Sequence, residues 1–213
     1  MIRNCLFMSV VLLTTSVSAQ QAAKPASSNT QVTLAAVAPT ENRDWSPAKS
    51  AYVQTALTRT ELTSNVAKAE RSARVALSPD ARTAILSEYA AAEYEARHSD
   101  IPIKSAESQQ AAVVTDFLLN VTTSHDSAGF SFKTEKSGTK LFVRSHASYG
   151  RLKVTLNPPI EAFTVIIGTT SYDSENTFVL LAGAYAVVVD RRTEKCSGNV
   201  RVVGKQTATF ACH

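Results

Sequence analysis

Beyond Ser105 the chain alternates apolar and polar residues with a period of two, which is typical of half-buried β-strands. The clearest pairs flank a Lys-Ser-Gly-Thr turn at 136–139 and comprise Phe130, Phe132, Leu141 and Val143. Similar short runs recur as far as Phe210 and favour an antiparallel β-sandwich over residues 105–213. The apolar run 113–121 fits a strand or a helix end, and both readings stay open.

Before residue 105 the apolar spacing is helical. Ser46-Pro47 and Ser78-Pro79 each combine a serine that can cap free backbone N–H groups with a proline suited to the first helical position. They predict two helices of about 20 and 18 residues. Threonine and serine residues over 58–64 weaken the first helix, so a break there is left open. The predicted fold class is α+β, with an N-terminal helical hairpin at 46–104 followed by a C-terminal antiparallel β-sandwich.

The first residues predict export. Arg3, an apolar run over 5–13 and the small residue Ala19 follow the order of a secretory signal peptide at 1–19. The run is shorter than the roughly 20 residues needed to cross a bilayer, so we expect no membrane span after cleavage; a retained anchor is the less favoured alternative. Residues 20–45 lack a sustained period and predict a flexible leader. The expected location is periplasmic or secreted, in a bacterial envelope.

Cleavage after Ala19 would leave Cys196 and Cys212 as the two cysteines of the exported chain. Exported cysteines tend to pair because their compartment is oxidising. A hairpin centred on Gly204 would place the two residues opposite each other on adjacent strands. We therefore predict a disulfide between them, and no metal site, since two cysteines and scattered histidines do not form a ligand set.

Several short motifs lie between residue 150 and the C-terminus: Gly150-x-Leu152-x-Val154, Pro158-Pro159-x-x-Ala162, Val165-x-Ile167-Gly168, Leu181-Ala182-Gly183-x-Tyr185-x-Val187-x-Val189 and Val200-x-Val202. Together they resemble the PEGA domain of bacterial envelope proteins, over about 60 residues. The usual Pro-x-Gly-Ala corner lacks its glycine here. The resemblance implies a small β-sandwich associated with the envelope or surface layer, and it implies no catalytic residues.

Charge adds a candidate binding surface. Basic residues outnumber acidic ones between Lys133 and Lys205. The predicted binding residues, on solvent-facing strand edges and a strand end, are Arg144, Arg151, Lys153, Arg191 and Arg192. Such a face suits an anionic cell-surface polymer or an acidic envelope protein. The alternative is that these charges only prevent strand edges from associating. Nucleic acid is an unlikely partner for an exported chain without interleaved aromatic residues.

The sequence contains no phosphate loop, no His-Glu-x-x-His and no calcium loop, so no cofactor is expected. His125, Asp126 and Ser127 are triad residue types, but triads are assembled from separate elements. The expected function is that of a non-enzymatic exported envelope protein that binds or scaffolds a protein or an anionic surface polymer. Two alternatives are a structural subunit that assembles through its alanine-rich helices and, less favoured, a hydrolase.

Overall fold

The computed structural model describes residues 45–123, 128–191 and 194–213, and these parts form a mixed α+β fold. Helices make up most of the first part of the described chain and strands the second, except for a two-residue strand at 76–77 between the second and third helices. The helices are α1 (Pro47–Leu57), α2 (Thr60–Ala73), α3 (Pro79–Arg97) and α4 (Ala106–Asn120). Residues 1–44, which hold the predicted signal peptide and all of the predicted leader except Trp45, lie outside the described residues, as do residues 124–127, Arg192 and Thr193.

Both serine caps form as predicted. The Ser46 hydroxyl accepts a hydrogen bond from the Lys49 amide at 3.3 Å, and the Ser78 hydroxyl accepts one from the Ala81 amide at 3.2 Å. The first predicted helix is broken, because α1 ends at Leu57 and α2 begins at Thr60. At this break the Thr58 hydroxyl donates to the Thr55 carbonyl at 2.7 Å. Threonine can satisfy a terminal carbonyl in this way, which favours a helix end over a helix interior.

The helical part extends further than the predicted boundary at residue 104. Helix α4 occupies most of the run 113–121, where the sequence left strand and helix open. Its buried side chains include Val113, Val114, Phe117 and Leu118. Their spacing is one helical turn, which places them on one face of a helix and on both faces of a strand. The β region therefore begins at Gly129 and not directly after residue 104.

Ten strands are present in the described residues: β1 (Ala76–Leu77), β2 (Gly129–Lys133), β3 (Lys140–Arg144), β4 (Tyr149–Leu156), β5 (Thr164–Ile167), β6 (Thr170–Asp173), β7 (Thr177–Leu181), β8 (Gly183–Asp190), β9 (Lys195–Val202) and β10 (Thr207–Cys212). The first sheet has the order β1-β7-β4-β10, the second sheet has the order β6-β5-β8-β9, and β2 and β3 form a separate hairpin sheet.

The prediction of purely antiparallel strands is wrong for the first sheet. There β1 runs parallel to β7, and β10 runs parallel to β4, while β4 and β7 are antiparallel. The second sheet and the hairpin sheet are antiparallel throughout their described pairs. Alternation of apolar residues determines which face of a strand is buried, but it says nothing about the direction of the neighbouring strand.

The first sheet is buried on both faces. On one side, Leu152 and Phe178 form a core with Val165 and Val187 of the second sheet. On the other side, Val179 belongs to a larger core that also contains buried side chains from all four helices and from the hairpin sheet. Successive residues of a strand point to opposite faces, so Phe178 and Val179 contribute to different cores. None of the described helices is both long and apolar enough to span a membrane.

The sulfurs of Cys196 and Cys212 lie at disulfide distance, with their Cα atoms 5.9 Å apart. The pairing is as predicted, but the hairpin that motivated it is absent. Strand β9 pairs with β8 in the second sheet, and β10 pairs with β4 in the first. Cys196 and Cys212 therefore connect edge strands of two different sheets.

Candidate functional site

The five predicted binding residues do not form one exposed basic face. Arg144 and Lys153 are exposed, whereas the Arg151 guanidinium donates to the Leu118 carbonyl at the end of α4, at 2.9 Å. Arg191 is 9% exposed, and its guanidinium contacts the carbonyl oxygens of residues 157 and 158 at 3.5 and 3.2 Å. Arg192 lies outside the described residues.

The expectation that Arg151 faces solvent is wrong for a physical reason. Alternation correctly separates Arg151 from the buried Leu152, but the face opposite Leu152 is covered by helices. Arg151 therefore contacts α4, while Lys153, two residues further along the same face, is exposed. A long arginine side chain can lie along such a surface and satisfy a helix-terminal carbonyl.

A different basic site lies where α2, β1 and α3 meet. A cleft of about 530 Å³ is lined there by Ala67, Glu70, Arg71, Arg74, Val75, Ala76, Arg82 and Glu175. We call it the arginine cleft, after Arg71, Arg74 and Arg82. Arg71 and Arg74 come from the end of α2, and Arg82 comes from the first turns of α3. The short strand β1 between these helices brings the three guanidinium groups to one opening.

Glu70 organises the floor of the arginine cleft. Its carboxylate accepts the Leu77 amide at 2.9 Å and the Arg82 guanidinium at 2.7 and 2.8 Å. Burial raises the pKa of Glu70, and this effect outweighs the Leu77 hydrogen bond and the charges of Arg82 and Arg71, which lower it. Arg82 is thus fixed to Glu70, while Arg71 and Arg74 are exposed at the mouth with Glu175 as the remaining acidic residue of the lining.

Arg74 occupies an unusual backbone position. It follows α2 with φ 54° and ψ 48°, in the left-handed region. Glycine is the common residue at such helix ends, because a side chain there costs roughly 1 kcal/mol. The conformation turns the chain so that the Val75 amide bonds the Glu70 carbonyl at 3.1 Å, and it directs Arg74 to the cleft. Arg74 therefore holds a long basic side chain at a backbone position where glycine would be less strained.

Lys153 is the predicted residue that the structure places near the arginine cleft. Leu152 pairs with Phe178, and Phe178 pairs with Ala76 of β1, so these three residues form one row across the first sheet. Lys153 follows Leu152 and pairs with Thr177, close in sequence to Glu175 of the cleft lining. The backbone of Lys153 lies two strand spacings from β1, a distance of about 10 Å. Lys153 thus adds a positive charge at the same end of these strands.

Sequence reasoning missed Arg71, Arg74 and Arg82 because it looked for a basic surface only between Lys133 and Lys205. Between residues 43 and 100 the numbers of basic and acidic residues are equal, but not all of the acidic side chains are available. Glu93 is fully buried and bound by the Tyr52 hydroxyl and the Arg59 guanidinium at 2.7 and 2.6 Å. A usable signal was the spacing of Arg71 and Arg74, which puts two cations at the end of one helix.

Two further buried carboxylates fasten elements together. Besides Glu93, Glu88 of α3 accepts hydrogen bonds from Ser145, from the Ala147 amide and from the Tyr149 hydroxyl. Burial raises the pKa of Tyr149 well above its usual value, as it does less strongly for Tyr52. Glu88 therefore connects α3 to the turn between β3 and β4. Both oxygens of Glu88 accept hydrogen bonds from the protein, whereas Glu93 accepts them through Oε2 and its Oε1 has only the Arg97 guanidinium nearby, at 3.7 Å. Donors from the protein itself suit a structural role.

The described residues contain no group of three or more His, Cys, Asp or Glu side chains that could hold a metal ion. His125, Asp126 and Ser127, the candidates for hydrolase chemistry, lie outside those residues. Comparison of the chain with protein families, with curated proteins and with solved structures found no match.

Proposed function

We propose that this chain is a non-enzymatic exported envelope protein that binds an anionic surface polymer through the arginine cleft. The observation that carries the proposal is the convergence of Arg71, Arg74 and Arg82 on one 530 Å³ opening. Guanidinium groups donate paired hydrogen bonds to phosphate, sulfate and carboxylate groups. With Arg82 fixed by Glu70, the exposed Arg71 and Arg74 are the groups that a polymer would contact first.

The location and the domain family are part of the same proposal. The order of charged, apolar and small residues in 1–19 supports export. The motifs from Gly150 to Val202 support a PEGA-like domain, and two four-stranded sheets that share one core are compatible with a β-sandwich. We infer envelope association from these two features together. A disulfide between Cys196 and Cys212 is compatible with an exported location, because disulfides persist in oxidising compartments.

The arginines also have a structural effect that an experiment must separate from binding. Cations at the end of a helix interact favourably with its dipole, by about 0.3–1 kcal/mol. Arg71 and Arg74 stand at the end of α2, so their removal affects stability slightly whatever they bind. Binding, and not stability, is therefore the informative readout.

Assembly through the alanine-rich helices has less support. The alanines of α3 that are buried in the chain's own core are Ala81, Ala84, Ala90, Ala91, Ala92 and Ala96. Tyr89 is also fully buried, and its hydroxyl donates to the Ala106 carbonyl at 3.2 Å. These residues already pack within one chain, so they are not available to a second copy.

The test is a titration of the exported chain with polyphosphate and with polygalacturonate, with neutral dextran as a control polymer. We expect one of the charged polymers to bind, and the double variant Arg71→Ala/Arg74→Ala to bind it about tenfold or more weakly, as expected for lost charge-assisted hydrogen bonds. The matched control is Lys104→Ala/Lys136→Ala, which removes the same charge from exposed positions outside the cleft lining. Equal losses in both variants would contradict the proposal.

A further inference from the structure

Strand β3 has an open edge. The hairpin sheet has two strands, and no other described strand pairs with β3. The register is visible at both ends of the hairpin, where the Ser145 amide bonds the Ala128 carbonyl at 3.0 Å and the Thr134 amide bonds the Thr139 carbonyl at 2.7 Å. Hydrogen-bonded pairs alternate along an antiparallel ladder, so Leu141 and Val143 bond to β2. The backbone groups of Lys140 and Phe142 therefore point away from β2.

The two faces of β3 carry different side chains. Leu141 and Val143 pack against the helical core. Lys140, Phe142 and Arg144 are on the opposite face and are exposed. Phe142 is 43% exposed and lies across Gly129, where an added Cβ would be 2.5 Å from its ring. A large apolar side chain thus stands between two basic residues on a strand that has one open edge.

Cations outnumber carboxylates around this edge. Lys133 and Lys136 are exposed on the same hairpin as Lys140. Acidic residues are present too: Glu135 lies on the hairpin, and Asp116 of α4 lines a cleft with Lys133 and Lys140. An added strand places its side chains within about 5 Å of those directly opposite. Because every second residue of a strand lies on the same face, an acidic residue opposite Lys140 and an apolar residue two positions along would cover Lys140 and Phe142.

We propose that the open edge of β3 binds an extended acidic segment of a partner protein as an additional strand. Backbone hydrogen bonds at Lys140 and Phe142 would supply affinity, and the flanking cations would supply specificity. This surface is separate from the arginine cleft, so polymer binding and strand addition can succeed or fail independently.

A second copy of the chain is a poorer occupant than an acidic segment. An antiparallel β3–β3 pair centred on Phe142 would place Lys140 opposite Arg144 of the other copy. Like charges directly opposite each other destabilise a strand pair. The same charges protect the edge against association between copies, and they would attract a strand of opposite charge.

The experiment uses the full chain and a fluorescein-labelled peptide of about seven residues, the length of a typical strand, with glutamate at its second and sixth positions, valine at its fourth and threonine elsewhere. The two glutamates and the valine share one face, so in either strand direction a glutamate can face Lys140 while the valine covers Phe142. Fluorescence anisotropy measures binding. Control peptides are the same sequence with lysine in place of glutamate, and the glutamate peptide with N-methyl groups on the amides that would pair with β3. We expect the first peptide to bind and both controls to bind about tenfold or more weakly.

Variants of the chain show where on its surface the peptide binds. Lys140→Glu should weaken binding of the acidic peptide by about tenfold or more, because it places like charges opposite each other. Arg71→Ala/Arg74→Ala should leave peptide affinity unchanged. As a second readout that does not require a variant, hydrogen exchange at the Phe142 amide should slow when the peptide is bound.

Three results would overturn the proposal. The first is no detectable binding of the acidic peptide at millimolar concentration. The second is equal binding of the N-methylated peptide, which would show attraction of charge without strand pairing. The third is concentration-dependent dimerisation that protects the Phe142 amide in the absence of peptide, which would make a second copy the occupant.

Discussion

At the scale of single residues, Gly150 has the clearest structural requirement. A Cβ added there would be 2.3 Å from the Val203 carbonyl oxygen, which belongs to the backbone. At Gly183 the nearest atoms belong to the Tyr185 ring, and the closest is at 3.5 Å, an ordinary contact. The two glycines therefore differ in how well they would tolerate an added methyl group.

We expect Gly150→Ala to lower the free energy of unfolding by about 1–3 kcal/mol, because either strand or turn must move to accommodate the methyl group. Gly183→Ala is the matched control and should change stability by less than about 0.5 kcal/mol. Urea denaturation of both variants measures the difference. Similar losses at the two positions would show that the close approach at Gly150 is not what requires glycine.

Arg74 gives a second residue-scale prediction, in which stability and binding change in different directions. Arg74→Gly relieves the left-handed backbone strain and should leave stability unchanged or raise it by up to about 1 kcal/mol. Arg74→Ala keeps the strain and should give no gain. Both substitutions should weaken polymer binding. A glycine variant that binds the polymer as well as the original chain would remove Arg74 from the site.

Glu70 predicts a pH dependence. Burial raises the pKa of Glu70 above its ordinary value of 4.5, so the folded state favours the protonated form. The resulting stability is present below pH 4.5 and is lost as the pH rises through the folded-state pKa. We therefore expect the unfolding free energy of the original chain, relative to Glu70→Gln, to increase as the pH falls from 7 toward 4.5. The opposite slope would mean that the Arg82 ion pair outweighs burial.

At the scale of secondary-structure elements, the Cys196–Cys212 pair connects the edge strands β9 and β10 across a sequence separation of 16 residues. Closing a loop of this length stabilises a fold by about 3 kcal/mol in the chain-entropy description. Cys196→Ser/Cys212→Ser should therefore lower the free energy of unfolding by about 2–5 kcal/mol. The measurement is denaturation with and without reductant. Two thiols that alkylate freely in the native chain would contradict the bond itself.

Local signals predicted the elements well where they act within a few residues. The serine–proline pairs located the starts of α1 and α3, and the alternation at Leu152–Leu156 located β4. The parallel pairing of β1 with β7 could not be predicted from the sequence. It joins residues about a hundred positions apart, and β1 is only two residues long, too short to give a recognisable pattern.

The candidate site was harder to predict than the elements for a related reason. Arg151 and Lys153 have the same sequence pattern, yet one contacts α4 and the other is exposed. The difference depends on which part of the sheet the helices cover. Likewise, Arg71, Arg74 and Arg82 come together through β1, which has too short a sequence signal to be recognised in advance.

At the scale of the whole molecule, the proposed role divides between two surfaces. The arginine cleft is proposed to bind an anionic polymer, and the open edge of β3 is proposed to bind an acidic strand. Exposed charges are screened beyond about 8–10 Å at ordinary ionic strength, so polymer binding should weaken as salt is added. Salt-independent binding would exclude the exposed arginines as its main determinant.

The most direct test of the central claim is an NMR titration that follows the arginine side-chain Nε–H signals of the isotope-labelled chain as polyanion is added. The predicted result is that the Arg71 and Arg74 signals shift first and saturate together, while those of Arg144 and Arg191 stay in place. Shifts confined to Arg144 and its neighbours in the hairpin sheet, with the Arg71 and Arg74 signals unchanged, would contradict it.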